Sequence, residues 1–383
     1  MSQGSSRERP TCGACGPLSI TYRSRSAGSN LPDPPASRRL PAGTSPHARR
    51  RARVVFVGVR AVTISGDGPS GKLTTSQVEL REPGDGEIVV DVAAAGVNRA
   101  DLLQRAGLYP PPPGAPAWPG LEISGTVNRL GPGVSDRRVG DEVVALLDGG
   151  GYAEQVVVRA GQTLPLPEGV DLVDAAALPE AVCTAWTNLV DTGHLRAGET
   201  LLVLGGSGGV GSVAIQLGRA LGARVVATAG GPERTARCRE LGADVVVDHR
   251  SEDVVDAVRG ATDGRGADVV LDVLGGGALG DNVRALAPGG RLVVIGLQQG
   301  RTGELDLARL MAKRAVVTGT LLRSRTPEEK AVIVRDVAEH VWPLAERGLI
   351  RPVVHARLPF DEAESALGML ESGEAFGKVL LLP

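Results

Sequence analysis

Leu201-Leu202-Val203-Leu204-Gly205-Gly206-Ser207-Gly208-Gly209-Val210-Gly211-Ser212 is the stretch whose reading decides the fold. An apolar run of strand length ends in a cluster of glycines, and a helix-like run from Ser212 to Leu221 follows. Gly206, Gly208 and Gly211 spell G-x-G-x-x-G. In that spacing the first glycine permits a tight turn, the second lets backbone approach a pyrophosphate, and the third lets helix pack close on strand. The helix N-terminus then offers unpaired N–H groups to the phosphates. Gly206, Ser207, Gly208, Gly209, Val210 and Gly211 are therefore the expected floor of a dinucleotide site.

The same residues satisfy a rival pattern. Gly205-Gly206-Ser207-Gly208-Gly209 is also G-x-S-x-G, a strand–turn–helix that presents a nucleophilic serine, and histidines follow at 249, 340 and 355. A glycine turn with no ligand is the third possibility. The next apolar run, Arg224 to Thr228, starts 18 residues beyond Gly206, which is the spacing of the second strand in a nucleotide-binding βαβ unit.

Working outward, strands are expected at 200–204, 224–228, 244–248, 267–272, 290–295 and 315–320, with helices at 209–221, 232–241, 252–259 and 279–287 between them. Such alternation implies a doubly wound parallel sheet whose ligand lies at the carboxyl ends of the strands. Upstream, apolar runs at 54–64, 88–92, 121–127, 141–147 and 152–158, separated by Gly, Pro and Asp clusters, imply a β-rich region. Downstream come a helix near 327–347, a strand near 352–358, a helix near 361–372 and a last strand from Lys378 to Leu382. A short helix is expected to start at Asn98, with Asp101 in its first turn and Gly107 as its stop. Tyr109 and prolines 110–113 then form a stiff loop that cannot be helix.

Composition limits the alternatives. At 383 residues the chain is long enough for two domains, and a net charge of −2 gives no global case for nucleic acid or a membrane surface. Four cysteines in this length exclude a disulfide scaffold, and the default location is a reducing cytoplasm. Cys12 and Cys15 form a C-x-x-C with no partner pair, so metal or redox function there is disfavoured. Residues 1–53 carry ten arginines, two acids and no lysine, without apolar periodicity. Residues 1–58 are expected to be a disordered or non-native extension, with the domain proper starting at Val59.

Several separated motifs then point one way. Ala95-Gly96-Val97-Asn98-Arg99-Ala100-Asp101-Leu102-Leu103-Gln104-Arg105, Tyr109 to Gly114, Pro119-Gly120-Leu121-Glu122, Leu178-Pro179-Glu180-Ala181, the 205–211 turn, Leu321-Leu322-Arg323-Ser324-Arg325 and Gly377-Lys378-Val379 occur in one order. Together they resemble the zinc-independent quinone oxidoreductases of the medium-chain dehydrogenase/reductase superfamily, within it the tumour-suppressor-inducible branch. The resemblance implies an α/β fold. A GroES-like substrate domain would span 59–178, a Rossmann domain 179–320, and a C-terminal return over 321–383 would complete the substrate domain. It further implies NADPH, quinone-type acceptors and a homodimer. Two alternatives share the fold and cofactor: an enoyl or enone double-bond reductase, and a non-catalytic NADPH-binding protein.

The resemblance places Asn98, Asp101 and Tyr109 near nicotinamide and substrate, and His249, Leu274, Gly296, Leu297, Arg323 and Lys378 along the cofactor. Zinc-dependent relatives carry a Cys and a Gly-His-Glu where this chain has Gly96-Val97-Asn98 and Gly120-Leu121-Glu122, so no metal is expected. Cys183 and Cys238 are expected to be packing residues. The second strand of the unit ends without the carboxylate that NAD sites place about 20 residues beyond the first glycine. Thr228, Gly230 and Arg234 are instead expected to receive a 2′-phosphate, which favours NADPH over NADH.

Overall fold

The computed structural model describes residues 57–383 apart from 67, 69 and 70. The expectations for residues 1–56, Cys12 and Cys15 included, lie outside the described residues. Val57 and Gly58 already pair with Leu80 and Glu79, so the first ladder begins two residues before Val59.

The β-rich part opens with the antiparallel hairpin β1 (Val57–Ser65) and β2 (Lys72–Leu80). The sequence Lys-Leu-Thr-Thr-Ser-Gln-Val-Glu-Leu of β2 buries only its end leucines, which is why no apolar run announces it. Then follow β3 (Glu87–Gly96), α1 (Arg99–Arg105), β4 (Glu122–Leu130), β5 (Glu142–Leu146), β6 (Gln155–Arg159) and β7 (Thr163–Pro165). Helices α2 (Leu172–Ala175) and α3 (Pro179–Trp186) lead out of it, and α3 runs on as a π-turn over Thr187–Thr192.

The alternating part comprises β8 (Thr200–Val203), α4 (Gly209–Ala220), β9 (Arg224–Ala229), α5 (Pro232–Glu240), β10 (Val245–Asp248), α6 (Val254–Ala261), β11 (Ala267–Asp272), α7 (Leu279–Ala285), β12 (Leu286–Val294), α8 (Leu307–Lys313) and β13 (Val316–Gly319). Its six strands pair in the order β10-β9-β8-β11-β12-β13, all parallel. The pairing order reverses at β8, so the crevice beyond the carboxyl ends of β8 and β11 is where such a sheet receives a ligand. The central strands β8, β9 and β11 are buried along most of their length and are predominantly apolar.

Helices α9 (Pro327–His340) and α10 (Trp342–Glu346) replace the single helix expected over 327–347. Pro343 lacks the N–H to continue the ladder, and Trp342 turns in to donate from Nε1 to the Pro165 carbonyl at 2.8 Å. The chain then forms β14 (Val354–Pro359), α11 (Ala363–Glu371) and β15 (Lys378–Leu382). Strand β15 pairs with β3, Leu380 opposite Gly96 and Leu381 opposite Ala95, so the last strand returns to the β-rich sheet. That sheet runs β14-β15-β3-β4-β5-β7, with β6 also on β3.

The return is also fastened to the glycine turn. The Gly377 N–H donates to the Ser207 carbonyl at 2.8 Å, and Gly208 bridges Gly377. On the other flank, the Arg234 guanidinium donates to the carbonyls of Gly373, Glu374 and Ala375. Residues 373–378 are thus gripped from two elements of the parallel part.

Candidate active site

The turn after β8 is built as its glycines require. Gly205 has φ +74°, the left-handed region open to glycine. Its N–H donates to Thr228 Oγ1 at 3.0 Å, and the Gly206 N–H donates to the Thr228 carbonyl at 2.8 Å. A Cβ on Gly206 would lie 3.0 Å from Ala227 Cβ and Ile215 Cδ1, and one on Gly211 would run into the Gly205 carbonyl. Helix α4 then starts at Gly209, leaving the N–H groups of Gly209, Val210 and Gly211 without intrahelical acceptors. These residues fit the pyrophosphate of a dinucleotide.

Thr228, Gly230, His249, Leu274, Gly296 and Leu297 all fall at or just past the carboxyl ends of β9, β10, β11 and β12, on the side of this turn. Thr228 is buried and its hydroxyl is held by the turn, so it shapes the cradle. The Leu274 and Gly275 N–H groups close on the Asp272 carboxylate, and Gly296 packs against the Val273 backbone. Arg234 is at the start of α5 as expected, but its guanidinium is engaged by the 373–375 carbonyls. The cation against the end of β9 is one that sequence reasoning passed over. A Cβ on Gly230 would lie 2.8 Å from Arg250 Nε and 3.1 Å from His249 Nε2.

Opposite the turn is a buried ionic cluster. Lys378 at the start of β15 pairs its ammonium with Glu122 of β4 and donates to Asn98 Oδ1 at 2.7 Å. Asn98 Nδ2 donates to Glu122 Oε1 at 2.9 Å, and Glu122 Oε2 accepts from the Glu180 N–H at 2.9 Å. The Lys378 stem lies on the turn, since a Cβ on Gly209 would come 2.5 Å from its Cδ. Lys378 thus joins the glycine turn to the cluster, with its charge given to Glu122.

Asp101 belongs to the same region but is closed off. It is fully buried, and its carboxylate accepts from the Asn98 N–H (2.8 Å), the Tyr152 hydroxyl (2.8 Å) and the Gly120 N–H (3.3 Å). Burial pushes its carboxyl above the usual range against those hydrogen bonds. It ties α1 to the Gly120 bend and positions Asn98, which is more than the helix-start role that its place in the sequence suggested. Tyr152, invisible as a site residue in the sequence, is its buried partner, and burial, with Asp101 after it, holds its hydroxyl well above the usual tyrosine range.

Tyr109 lies in the proline loop, held by Arg323. Its half-buried ring lies 5.2 Å from the Arg323 guanidinium, and Arg323 also donates to the Tyr109 carbonyl. Arg323 is itself buried, donating to Gln104 Oε1 at 2.7 Å and the Asp148 carbonyl at 2.8 Å. Lys330 of α9 supports it from beneath, pairing with Asp148 and donating to the Arg323 carbonyl. Arg323 therefore fixes the Tyr109 loop, with its guanidinium engaged by protein groups. His194 stands apart, exposed in a turn, and Cys183 and Cys238 are buried on helices.

The cluster does not suit a zinc ion. At Gly96-Val97-Asn98 and Gly120-Leu121-Glu122, Asn98 and Glu122 are joined by the Lys378 ammonium, whose charge repels a divalent cation. Among the described residues no three His, Cys, Asp or Glu side chains gather as a metal site.

A GroES-like fold carrying a nucleotide-binding parallel sheet defines a class of dehydrogenases and reductases, and comparison with known proteins agrees. A family profile described as "Alcohol dehydrogenase GroES-like domain" matches residues 84–168, and one described as "Zinc-binding dehydrogenase" matches residues 209–338. The quinone oxidoreductase of Rattus norvegicus is 32% identical over 317 residues, which cover 82% of this chain and 94% of that protein. The phthioceranic/hydroxyphthioceranic acid synthase of Mycobacterium tuberculosis is 37% identical over 303 residues, 78% of this chain, and the chain spans only 14% of that protein's length. Among solved structures, the Escherichia coli quinone oxidoreductase complexed with NADPH superposes with a TM-score of 0.76 at 29% identity, covering 85% of this chain and 100% of that one. The chain belongs to the medium-chain dehydrogenase/reductase superfamily.

Glu180 has a consequence for stability. Burial, and after it the Glu122 carboxylate, pushes its carboxyl up to about 8. An unfolded chain ionises it near 4.3, so between these values unfolding releases a proton and stability falls as pH rises. Glu180→Gln, neutral at every pH, removes this term. Thermal unfolding across pH 5–9 should show the variant's Tm gaining on the wild type up to about pH 8 and running parallel above it; a constant offset over the whole range would contradict the assignment.

Proposed function

We propose that the chain reduces quinones and similar conjugated carbonyl compounds with NADPH, without zinc, in the cytoplasm. The observation that carries this reading is the Asn98–Lys378–Glu122 network lying against the glycine turn in the place of a metal centre. With no Lewis acid to polarise it, the acceptor must already be electron-poor, as a quinone or enone is. The bound dinucleotide supplies the hydride. Tyr109 forms the wall of the acceptor site, and its hydroxyl, held protonated by burial, donates to the acceptor oxygen. Asn98 and Lys378 fix the floor beside the turn, and Asp101 holds Asn98 in place.

A second reading, reduction of conjugated carbon–carbon double bonds in enones or enoyl thioesters, draws on the match to a segment of an acid synthase. NADPH oxidation measured against a panel of quinones, enones and enoyl thioesters separates the two. Quinone turnover by protein stripped of metal is the expected result. Turnover confined to thioesters would favour the second reading, and activity that depends on one zinc per chain would remove the first.

The preference for NADPH is supported by the absence of a carboxylate at the end of β9 and by Arg250 and His249 against Gly230. Arg250, unlike Arg234, has its guanidinium placed at the strand end where the 2′-phosphate is expected. Loss of one charged hydrogen bond is worth about 1.5–3 kcal/mol. Arg250→Ala should therefore weaken NADPH about ten- to a hundredfold and leave NADH unchanged, as read from titration of both cofactors. Equal weakening of both would contradict it.

We also propose a homodimer. Strand β13 ends the parallel sheet, and exposed Val316, with Leu307 and Met311 of α8, leaves an apolar edge beside it. Sedimentation velocity should give twice the chain mass; a monomer at micromolar concentration would rule this out.

A further inference from the structure

We propose that Glu180 is the proton donor of this site, giving its carboxyl proton to the oxygen of the acceptor as that acceptor is reduced. The proposal rests on the reductase reading above and adds to it the source of the proton.

Three acids meet beside the glycine turn, and their oxygens are not equally occupied. Both oxygens of Asp101 accept hydrogen bonds, from Gly120 on one and from Asn98 and Tyr152 on the other. Both oxygens of Glu122 are taken, one by Asn98 and Lys378 and the other by the Glu180 N–H. The Glu180 carboxyl has no hydrogen-bond partner among the described residues, and the side chain is half-buried rather than sealed. It is the acid of the three that is left open to an incoming molecule.

Its position follows from the helix it begins. Pro179 and Glu180 form the first turn of α3, and the Glu180 N–H is fixed on Glu122, whose partner Lys378 rests on Gly209. The charge of Glu180 is also felt by Tyr109 and Arg323 on the other wall. Glu180 thus starts α3 beside the Glu122–Lys378 pair that rests on the turn, on the side where its charge reaches Tyr109 and Arg323.

A half-buried carboxylate with no donor facing it, and with Glu122 close by, is disfavoured relative to its neutral form, so the acid is the form that this place favours. The groups facing it act in both directions. Glu122 of β4 and Asp101 of α1 favour the protonated form, whereas Lys378 of β15 and Lys330 of α9 oppose it. Cys183, one turn along α3, is held as a thiol. Both lysines are already paired, Lys378 with Glu122 and Lys330 with Asp148, and burial with Glu122 prevails, setting the carboxyl at about 8. At neutral pH the group is a loaded acid close to its release point, which is the condition for general acid catalysis.

The step balances. A hydride brings two electrons and one hydrogen to the conjugated acceptor and leaves negative charge on its oxygen. The O–H bond of Glu180 breaks, its electrons stay on the carboxylate, and the proton forms the new O–H bond of the product. Water reprotonates the carboxylate, so one acceptor consumes one hydride and one proton.

Glu180→Gln keeps the shape and neutrality of the acid but cannot release a proton. In an infrared pH titration of the protein without any ligand, the wild type should lose a protonated-carboxyl band with a midpoint of about 8, and the variant should lack that band. In steady-state assays the wild-type rate should fall above that midpoint. The variant should be slower by about 10²–10⁴-fold and show no break there, and Glu180→Asp should restore the break at a reduced rate. A wild type with no carboxyl titrating in that interval, or a band that persists in Glu180→Gln, would overturn the proposal. So would a variant with the wild-type rate and pH profile. If the wild type reduces no acceptor at all, the reductase reading falls and the donor with it. The infrared titration distinguishes that result from a Glu180 that never holds a proton, and with Glu180→Asp it decides the matter even if Glu180→Gln fails to fold.

Discussion

The buried pair between Lys378 and Glu122 is the interaction on which the rest of the site depends. Two charges taken out of water cost several kcal/mol each unless their remaining donors and acceptors are met. Here they are met by Asn98 and by the Glu180 N–H. Each partner comes from a different element: β15, β4, the start of α1 and the start of α3. Loss of one would leave a charge buried without compensation, so the pair holds the four elements in one arrangement. Because the lysine stem lies on Gly209, that arrangement is referenced to the glycine turn.

The same economy of partners sorts the acids. Asp101 and Glu122 have their oxygens taken and serve geometry, while the Glu180 carboxyl has no hydrogen-bond partner among the described residues. Burial raises the carboxyls of both Asp101 and Glu180, but only Glu180 has no hydrogen-bond donor facing it among the described residues. A parallel case is seen among the cations. Arg323 and Arg234 carry charge but are engaged by carbonyls and a glutamine, and so act as fasteners. Arg250 has no such carbonyl contact among the described residues and stands against Gly230.

Much of this was legible in the sequence where the signal is local. The 205–211 turn, the alternation of strands and helices after it and the final strand Lys378–Leu382 each follow from a periodicity or a spacing confined to a few residues. Strand β2 escaped because its alternation is carried by polar residues, and α8 because it buries none of its side chains. The break between α9 and α10 was written in Pro343, but apolar spacing on either side masked it.

The sequence by itself determined the glycine turn, the parallel sheet and the family, because each is a property of residue type at short spacing. Only the tertiary structure decided which charged groups remain free. Asn98 and Lys378 are separated by 280 positions, and the cluster that unites them forms when β15 pairs with β3. Whether an arginine binds a phosphate or a carbonyl, and whether a glutamate is a charged anchor or a neutral acid, depends on the partners and water around it. Those are set by packing between elements distant in the chain, which no local pattern encodes.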